Sequence, residues 1–122
     1  MPAKQNWPEK FARYSCQKIG VGDLTVPKAY WTCAYRFIPN HQQREVYSEL
    51  ATAAVKAAGG RFLARGGKMR ANEDAVLERT VIVEFDSYEQ AIAAYDSELY
   101  AKALAALPAG ILRDHRIVEG LE

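Results

Sequence analysis

The stretch GGRFLARGG, Gly59–Gly67, decides the fold because it marks where a helix gives way to a strand. A glycine pair after a helical stretch is typical of a left-handed helix C-cap. The five residues between the two pairs predict a short strand, with Phe62 and Ala64 on one face and Arg65 on the other. The second glycine pair predicts that this strand bends or ends there.

A phosphate-binding loop does not fit this stretch. Such a loop needs four residues between its glycines and then Gly-Lys before Ser or Thr, but five residues separate Gly60 from Gly66 and methionine follows Lys68. A phosphate loop also leaves a strand for a helix N-terminus, which is the reverse of the order predicted here. The second glycine-rich hint, Gly20-Val21-Gly22, has no strand before it.

The flanking stretches complete a regular alternation of strands and helices. Strands are predicted in KAYWTCAYRF, RTVIVEF and ILRDHRIVEG, and a helix in HQQREVYSELATAAVKAA. Ser87 is predicted to cap a second helix, with Gln90 at capping-box spacing, and Ser97 marks a further helix start. The order strand, helix, strand, strand, helix, strand predicts an α+β, ferredoxin-like βαββαβ fold with a four-stranded antiparallel sheet.

The first helix should bury one apolar stripe. Steps of four, four and three residues separate four apolar positions, with further apolar residues beside them. The stripe consists of Val46, Leu50, Ala54 and Ala57, flanked by Tyr47, Ala51 and Ala58.

Residues 1–27 differ in composition from the rest and are predicted to be an N-terminal extension to a domain spanning 28–122. Within the extension, Pro8 could open a short helix that Gly20 ends. Trp7, Phe11 and Tyr14 should pack on the body of the protein or on a neighbour, because large aromatic side chains are costly to leave in water.

Composition predicts one soluble cytoplasmic domain. The chain has 122 residues, of which 49% are apolar, and a formal net charge of +1 from sixteen basic and fifteen acidic residues. This balance gives no global attraction to nucleic acid or to an anionic membrane. The N-terminus lacks an apolar signal core. Cys16 and Cys33 lack CxxC spacing, so free thiols are expected, with a single disulfide as the alternative.

Both faces of the predicted sheet carry apolar residues. In the third strand Val83 and Phe85 point to one side and Ile82 to the other, and in the first strand Trp31 and Tyr30 lie on opposite sides. Right-handed crossovers place both helices on the same face. We therefore expect a second subunit's sheet to cover the other face in a symmetric homodimer.

Three blocks of the chain, GGRFLARGG, ERTVIVEFDSYEQAIAAYDSELY and RIVEG, closely resemble the family named domain of unknown function thirteen-thirty. The resemblance covers roughly residues 27–121 and implies a dimeric α+β barrel, with no established activity. Related architectures include cofactor-free monooxygenases, muconolactone-type isomerases and haem-binding proteins, but a shared fold does not fix function. The chain departs from the family where many members have Trp and it has Ala94, and where many have Arg near Leu107.

Several kinds of site find no support. The two histidines, His41 and His115, have no partner at metal-binding spacing, and no GxSxG nucleophile elbow is present. RTVIVEF lacks the aromatic pattern of RNA-recognition modules that share this element order. Cys33 is interpreted as a small apolar residue, as buried cysteines usually are. No metal or cofactor is predicted.

Charged residues on strands expected to be buried need partners: Arg65, Glu84, Arg113 and His115. In one interpretation, Arg65 and Glu84 form an ion pair that fixes the dimer. In the other, Arg65 holds a carboxylate, enolate or phenolate in a pocket, and His115 or Glu84 moves a proton. The tyrosines assigned to that pocket are Tyr30, Tyr35, Tyr47, Tyr95 and Tyr100.

The function predicted first is therefore a homodimer that binds, and transforms without metal, a small organic molecule. The alternative is a non-catalytic structural or regulatory dimerisation module. A ligand-sized pocket with convergent polar groups would favour the first, and a filled core the second.

Overall fold

Four strands and three helices build the part of the chain that the computed structural model describes, residues 26–121. The elements are β1 (Ala29–Phe37), α1 (His41–Ala57), β2 (Arg61–Arg65), β3 (Thr80–Phe85), α2 (Tyr88–Tyr95), α3 (Glu98–Ala105) and β4 (Leu112–Glu119). The helix predicted between Pro8 and Gly20, and the packing predicted for the aromatic residues around it, lie outside the described residues. No described helix is long and apolar enough to cross a membrane.

The strands form one antiparallel sheet in the order β2-β3-β1-β4. Trp31 at the centre of β1 lies opposite Val83 of β3 on one side and Ile117 of β4 on the other. This strand order is that of a ferredoxin-like sheet, so the predicted α+β class and the predicted four-stranded antiparallel sheet are confirmed. The predicted order of elements was βαββαβ. The observed order is βαββααβ, because two helices rather than one connect β3 to β4.

Ser97 is the reason for the extra helix. Its hydroxyl donates to the carbonyl of Ala94 (2.8 Å) and accepts from the backbone N–H of Tyr100 (3.2 Å). The same side chain therefore closes α2 and caps α3, as helix N-cap serines do. The predicted helix start at Ser97 is confirmed.

Ser87 caps α2 as predicted, accepting from the N–H of Gln90 (3.1 Å). The Gln90 side chain departs from the capping box, because it accepts from the N–H of Asp86 (3.1 Å) and donates to the carbonyl of Ala58 (2.7 Å). The second of these bonds ties the start of α2 to the end of α1.

The core lies between the sheet and the helices. Its most completely buried side chains come from β1, β3, α1 and α3 and include Trp31, Phe85, Val83, Val55 and Tyr100. The predicted stripe of α1 is partly wrong, since Val46 and Leu50 are exposed. The buried residues of α1 are Tyr47, Ala51, Ala54 and Val55. The helix is turned so that Tyr47 reaches Tyr100 of α3.

The first glycine pair of GGRFLARGG ends helix α1, as predicted. Gly59 is left-handed (φ +86°), and bonds from Gly59 to Lys56 and from Gly60 to Val55 close a Schellman motif at the end of α1. A side chain at Gly60 would place its Cβ 2.7 Å from both Phe85 and Val55. Gly60 is therefore the point where the chain crosses closely over the core.

The strand between the glycine pairs differs from the prediction. The register with β3 shifts between Phe62 and Ala64, leaving Leu63 as an extra residue in a β-bulge. One extra residue reverses the alternation that follows, so Arg65 lies opposite Val81 and on the same face as Phe62. The prediction that Arg65 faces away from Phe62 was wrong for this reason.

Replacing Gly60 with alanine is expected to destabilise the protein by about 1–3 kcal/mol, because the new methyl group overpacks a region that is already filled. Gly67 provides the matched control, since nothing lies within 4 Å of its Cβ position and its φ is not positive. Urea unfolding should place Gly67→Ala within about 0.5 kcal/mol of wild type. Equal stability of the two variants would contradict this packing.

Candidate functional site

A cleft opens between helix α1 and the helix-covered face of the sheet. Its empty volume is about 420 Å³, including space open to solvent, and the centre of a water molecule can occupy about 40 Å³ of it. Its apolar wall includes Trp31, Val55 and Phe62. The cleft admits only about three water molecules, so a ligand must be small or must extend out of the cleft into solvent.

Two tyrosines and an arginine meet inside the cleft. Tyr47 of α1 and Tyr100 of α3 share a hydrogen bond between their hydroxyls, and Arg113 of β4 donates from Nη1 to Tyr47 Oη (2.9 Å). Burial raises the pKa of Tyr47 well above its ordinary value, and the neighbouring Tyr100 adds to this. Burial also raises the pKa of Tyr100. Both hydroxyls therefore keep their protons at neutral pH and can donate hydrogen bonds.

His115 lies beside this group on β4, two residues after Arg113 and on the same face of the sheet. Its ring packs edge-on against Trp31 (5.0 Å between centroids) and Tyr95 (5.1 Å). Burial lowers the pKa of His115 to about 4, and repulsion from Arg113 acts in the same direction. The imidazole is therefore neutral at pH 7 and can accept a proton.

Acidification should weaken folding through His115. The folded protein resists protonation until about pH 4, whereas a histidine in the unfolded chain takes its proton near pH 6.5. The free energy of unfolding is therefore expected to fall as pH drops from about 6.5 to 4, with about 2–3 kcal/mol of the loss due to His115. Urea unfolding of His115→Gln across this range should show a shallower pH dependence. An unchanged dependence would contradict the burial of the neutral ring.

Arg65 and Arg79 stand at the end of the cleft near β2. Because of the bulge, the Arg65 guanidinium lies over the Phe62 ring (4.2 Å) and donates to Thr52 Oγ1 (2.9 Å). Arg79 is half-buried against Gly66, whose Cβ position is 2.4 Å from Arg79 Nη1. Burial lowers the pKa of Arg79, and the nearby charges of Arg44 and Arg65 lower it further. The second glycine pair thus makes room for an arginine.

The charged side chains that line the cleft are all basic. Arg65, Arg79 and Arg113 line it, and the described lining includes no aspartate or glutamate. Within residues 26–121, none of these three arginines forms an ion pair; the pairs found involve other basic residues. Guanidinium groups without carboxylate partners, set around an apolar cleft, are suited to bind an anion.

The structure brings together five of the predicted site residues. Arg65, Tyr35, Tyr47, Tyr100 and His115 all line the cleft. Tyr95 lies behind this group and is not part of the lining; its ring packs edge-on against His115 and tilted against Tyr100 (5.1 Å between centroids in each case).

Tyr30 and Glu84 lie on the opposite face of the sheet. Tyr30 Oη donates to Glu84 (3.2 Å), and Arg61 Nε pairs with the same carboxylate (3.1 Å). Within the chain, the partner of Glu84 is therefore Arg61, and the ion pair considered between Arg65 and Glu84 is not formed. Arg65 and Glu84 are on different faces because of the bulge at Leu63.

Sequence reasoning did not assign Arg79 and Arg113 to the site. Arg113 could have been found, because strand alternation places it on the same face as His115. Arg79 is the first residue of the predicted strand RTVIVEF, so the same alternation would have placed it on the face of Val81 and Val83, although β3 itself begins at Thr80. Cys33 is a buried free thiol that also lines the cleft, and burial raises its pKa. Among residues 26–121 no group of three or more potential metal ligands converges.

Comparison with solved structures supports the fold. The chain is similar to the RPA0582 protein of Rhodopseudomonas palustris, a protein of unknown function, with a TM-score of 0.59 and 14% identity over 100% of this chain and 96% of that one. A second structure, of methylated RPA0582, gives a TM-score of 0.62 and 14% identity over 100% of this chain and 94% of that one. At this identity the likeness concerns the fold alone. No curated protein matches the chain in sequence.

The family model described as "Domain of unknown function (DUF1330)" matches residues 28–121. This range includes every described strand and helix. The resemblance found in the sequence is therefore confirmed, and the chain belongs to the DUF1330 family.

Proposed function

We propose that the cleft binds a small organic anion, most simply a carboxylate with a short apolar body. The observation that carries the proposal is the set of three arginines around an apolar cleft whose described lining has no acidic residue. Among residues 26–121 these arginines have no carboxylate partner, and a bound carboxylate would supply charge-assisted hydrogen bonds to them.

The inner end of the cleft supplies both charge and hydrogen bonds to such a ligand. Arg113 uses Nη1 on Tyr47 and keeps other N–H groups for a carboxylate oxygen. The hydroxyls of Tyr47 and Tyr100 are hydrogen-bonded to each other, so one proton of the pair is available to a second acceptor. The apolar body would then lie against Trp31 and Val55.

Titration calorimetry with butanoate and butanamide tests this function at fixed ionic strength. The two molecules have nearly the same shape and differ in charge. We expect saturable binding of butanoate with a Kd at or below about 1 mM, which is about 4 kcal/mol of binding free energy, and no saturation by the amide. Equal behaviour of the two compounds, or no saturation by either, would overturn the proposal.

A second candidate function is proton transfer next to a carbonyl, favoured by the neutral His115 on the same cleft wall as the tyrosine pair. His115 would take a proton from the carbon beside the carbonyl. The free proton of the Tyr47–Tyr100 pair would stabilise the enolate oxygen, and delivery of the abstracted proton to a different atom of the enolate would complete an isomerisation without a cofactor. Uptake of deuterium from D₂O into 2-oxobutanoate, followed by NMR, should be accelerated by wild type and lost in His115→Gln. Equal rates in the two proteins would exclude this role.

We also infer that the protein is a homodimer through the sheet face away from the helices. Tyr30, Thr32 and Ile82 on this face are half-buried within a single chain. Its charges are paired internally, with Arg61 on Glu84 (3.1 Å) and Arg116 on Asp114 (2.9 Å). Such a face can pack on a copy of itself without leaving these charged groups unpaired in the interface. Light scattering should give a dimer for wild type and a monomer for Ile82→Arg; a wild-type monomer would contradict the inference.

A further inference from the structure

The cleft carries more positive charge than one carboxylate needs. Arg113 is at the β4 end, while Arg65 and Arg79 are at the β2 end, with Arg44 near enough to affect Arg79 electrostatically. Arg79 is half-buried and Arg65 is exposed, and like charges placed near one another repel. A single carboxylate held by Arg113 and the tyrosine pair occupies only one of the two groups of arginines that line the cleft.

The sheet register fixes how these groups are spaced. Tyr35 of β1 pairs with Arg113 of β4 on one side, and on the other its N–H donates to the carbonyl of Arg79 (2.8 Å). Arg79 is thus two strands from Arg113, about 10 Å between backbones at ordinary strand spacing. On the next strand, the bond from Gly66 N–H to the Thr80 carbonyl (3.1 Å) sets Arg65 and Arg79 at neighbouring strand ends.

The local contacts keep the two outer guanidinium groups on the helix side of the sheet. Arg65 is held over Phe62 by Thr52, and the bulge at Leu63 turns it to that side. Arg79 occupies the space left by the missing side chain of Gly66. Both are lining residues of the same cleft as Arg113. The two groups of arginines are therefore separated by the width of two strands, with Tyr35 of β1 between them in the sheet.

We propose that the ligand is a small dianion, with one anionic group at Arg113 and the tyrosine pair and the other at Arg65 and Arg79, joined by a chain of a few carbons. This inference rests on the proposed function and narrows its ligand class. Dicarboxylates and short carboxylates that carry a phosphate monoester share this chemistry. The cleft, with about 420 Å³ of empty space including its open mouth, has room for a chain of a few carbons between the two anionic groups.

Titration calorimetry at constant ionic strength can distinguish the contributions of the two proposed anion-binding ends of the cleft. Wild type is expected to bind glutarate about tenfold or more tighter than butanoate, since an added charge-assisted contact contributes on the order of 1.4 kcal/mol, a tenfold change. Arg65→Gln should remove this advantage, so that its affinity for glutarate falls about tenfold, to near its affinity for butanoate. Arg65 is exposed, so the variant should fold normally. Arg79→Gln gives an independent second variant at the same end.

Arg116→Gln is the matched control, because Arg116 is an exposed arginine on the opposite face of the sheet. It should keep the preference for glutarate. A parallel titration with 2-phosphoglycolate identifies the source of the second charge: tighter binding than glutarate favours a phosphate ester, and weaker binding favours a dicarboxylate.

Equal affinity of wild type for glutarate and butanoate would overturn the dianion inference and leave the proposed function standing. The same holds if Arg65→Gln and Arg79→Gln both keep the full preference. Failure of both compounds to bind would overturn the proposed function together with this inference.

Discussion

Arg113→Gln is expected to weaken the binding of butanoate by about 30-fold or more. The side chain is the innermost cation of the cleft and donates to Tyr47 (2.9 Å), which lies beside Tyr100. Removing one partner of a desolvated charge pair costs about 2–5 kcal/mol, which is more than a tenfold change in Kd. Titration calorimetry on wild type and variant measures the loss directly.

Two controls separate binding from folding. Arg113→Lys keeps the charge but loses the planar fork, so it should recover only part of the affinity. Arg116→Gln, on the other face of the sheet, should bind as wild type does. Circular dichroism must show that Arg113→Gln is folded. If the folded variant binds butanoate as well as wild type does, Arg113 is not the anion-binding residue and the ligand orientation proposed above is wrong.

Phe85→Ala is expected to destabilise the protein by about 3–5 kcal/mol, because truncating a buried phenylalanine removes apolar contacts and leaves a cavity. Phe85 is 0% exposed, its ring is 5.1 Å from that of Trp31, and it fills the space beside Gly60. For a domain of about 100 residues, each kcal/mol corresponds to a Tm change of about 4–8 °C. Urea unfolding and thermal melting should therefore both show a large shift.

Phe37→Ala is the matched control, since Phe37 lies at the end of β1 with 53% of its side chain exposed. Its loss should change the free energy of unfolding by less than about 1 kcal/mol. Phe85→Leu, which keeps most of the buried volume, should fall between the two. Similar losses for Phe85→Ala and Phe37→Ala would contradict the position assigned to the core.

Much of the fold could be predicted because local signals agree with the tertiary structure. Gly59 and Gly60 end α1, and Ser87 and Ser97 cap the two later helices through short-range bonds that depend on neighbouring residues only. Which side of α1 is buried was less predictable. Alanine-rich helices present apolar residues on more than one side, and the contact between Tyr47 and Tyr100, 53 residues apart, selects the buried side.

The candidate site was less predictable because it depends on register. A single bulged residue, Leu63, reverses the face on which Arg65 lies, and simple alternation cannot show a bulge. Because of the same bulge, Arg61 rather than Arg65 shares the face of Glu84 and pairs with it within the chain. Arg113 and His115 were accessible to sequence reasoning, because they alternate on one regular strand without an interruption.

NMR of the arginine side chains tests the central claim, anion binding in the cleft, most directly. Glutarate is added to the labelled protein while chloride is reduced to hold ionic strength constant, and the Nε–Hε signals are followed. We predict saturable shifts for Arg65, Arg79 and Arg113 with a single Kd, while Arg116 stays unchanged. Shifts of Arg116 as large as those of Arg113, or no saturation at the cleft arginines, would contradict the account.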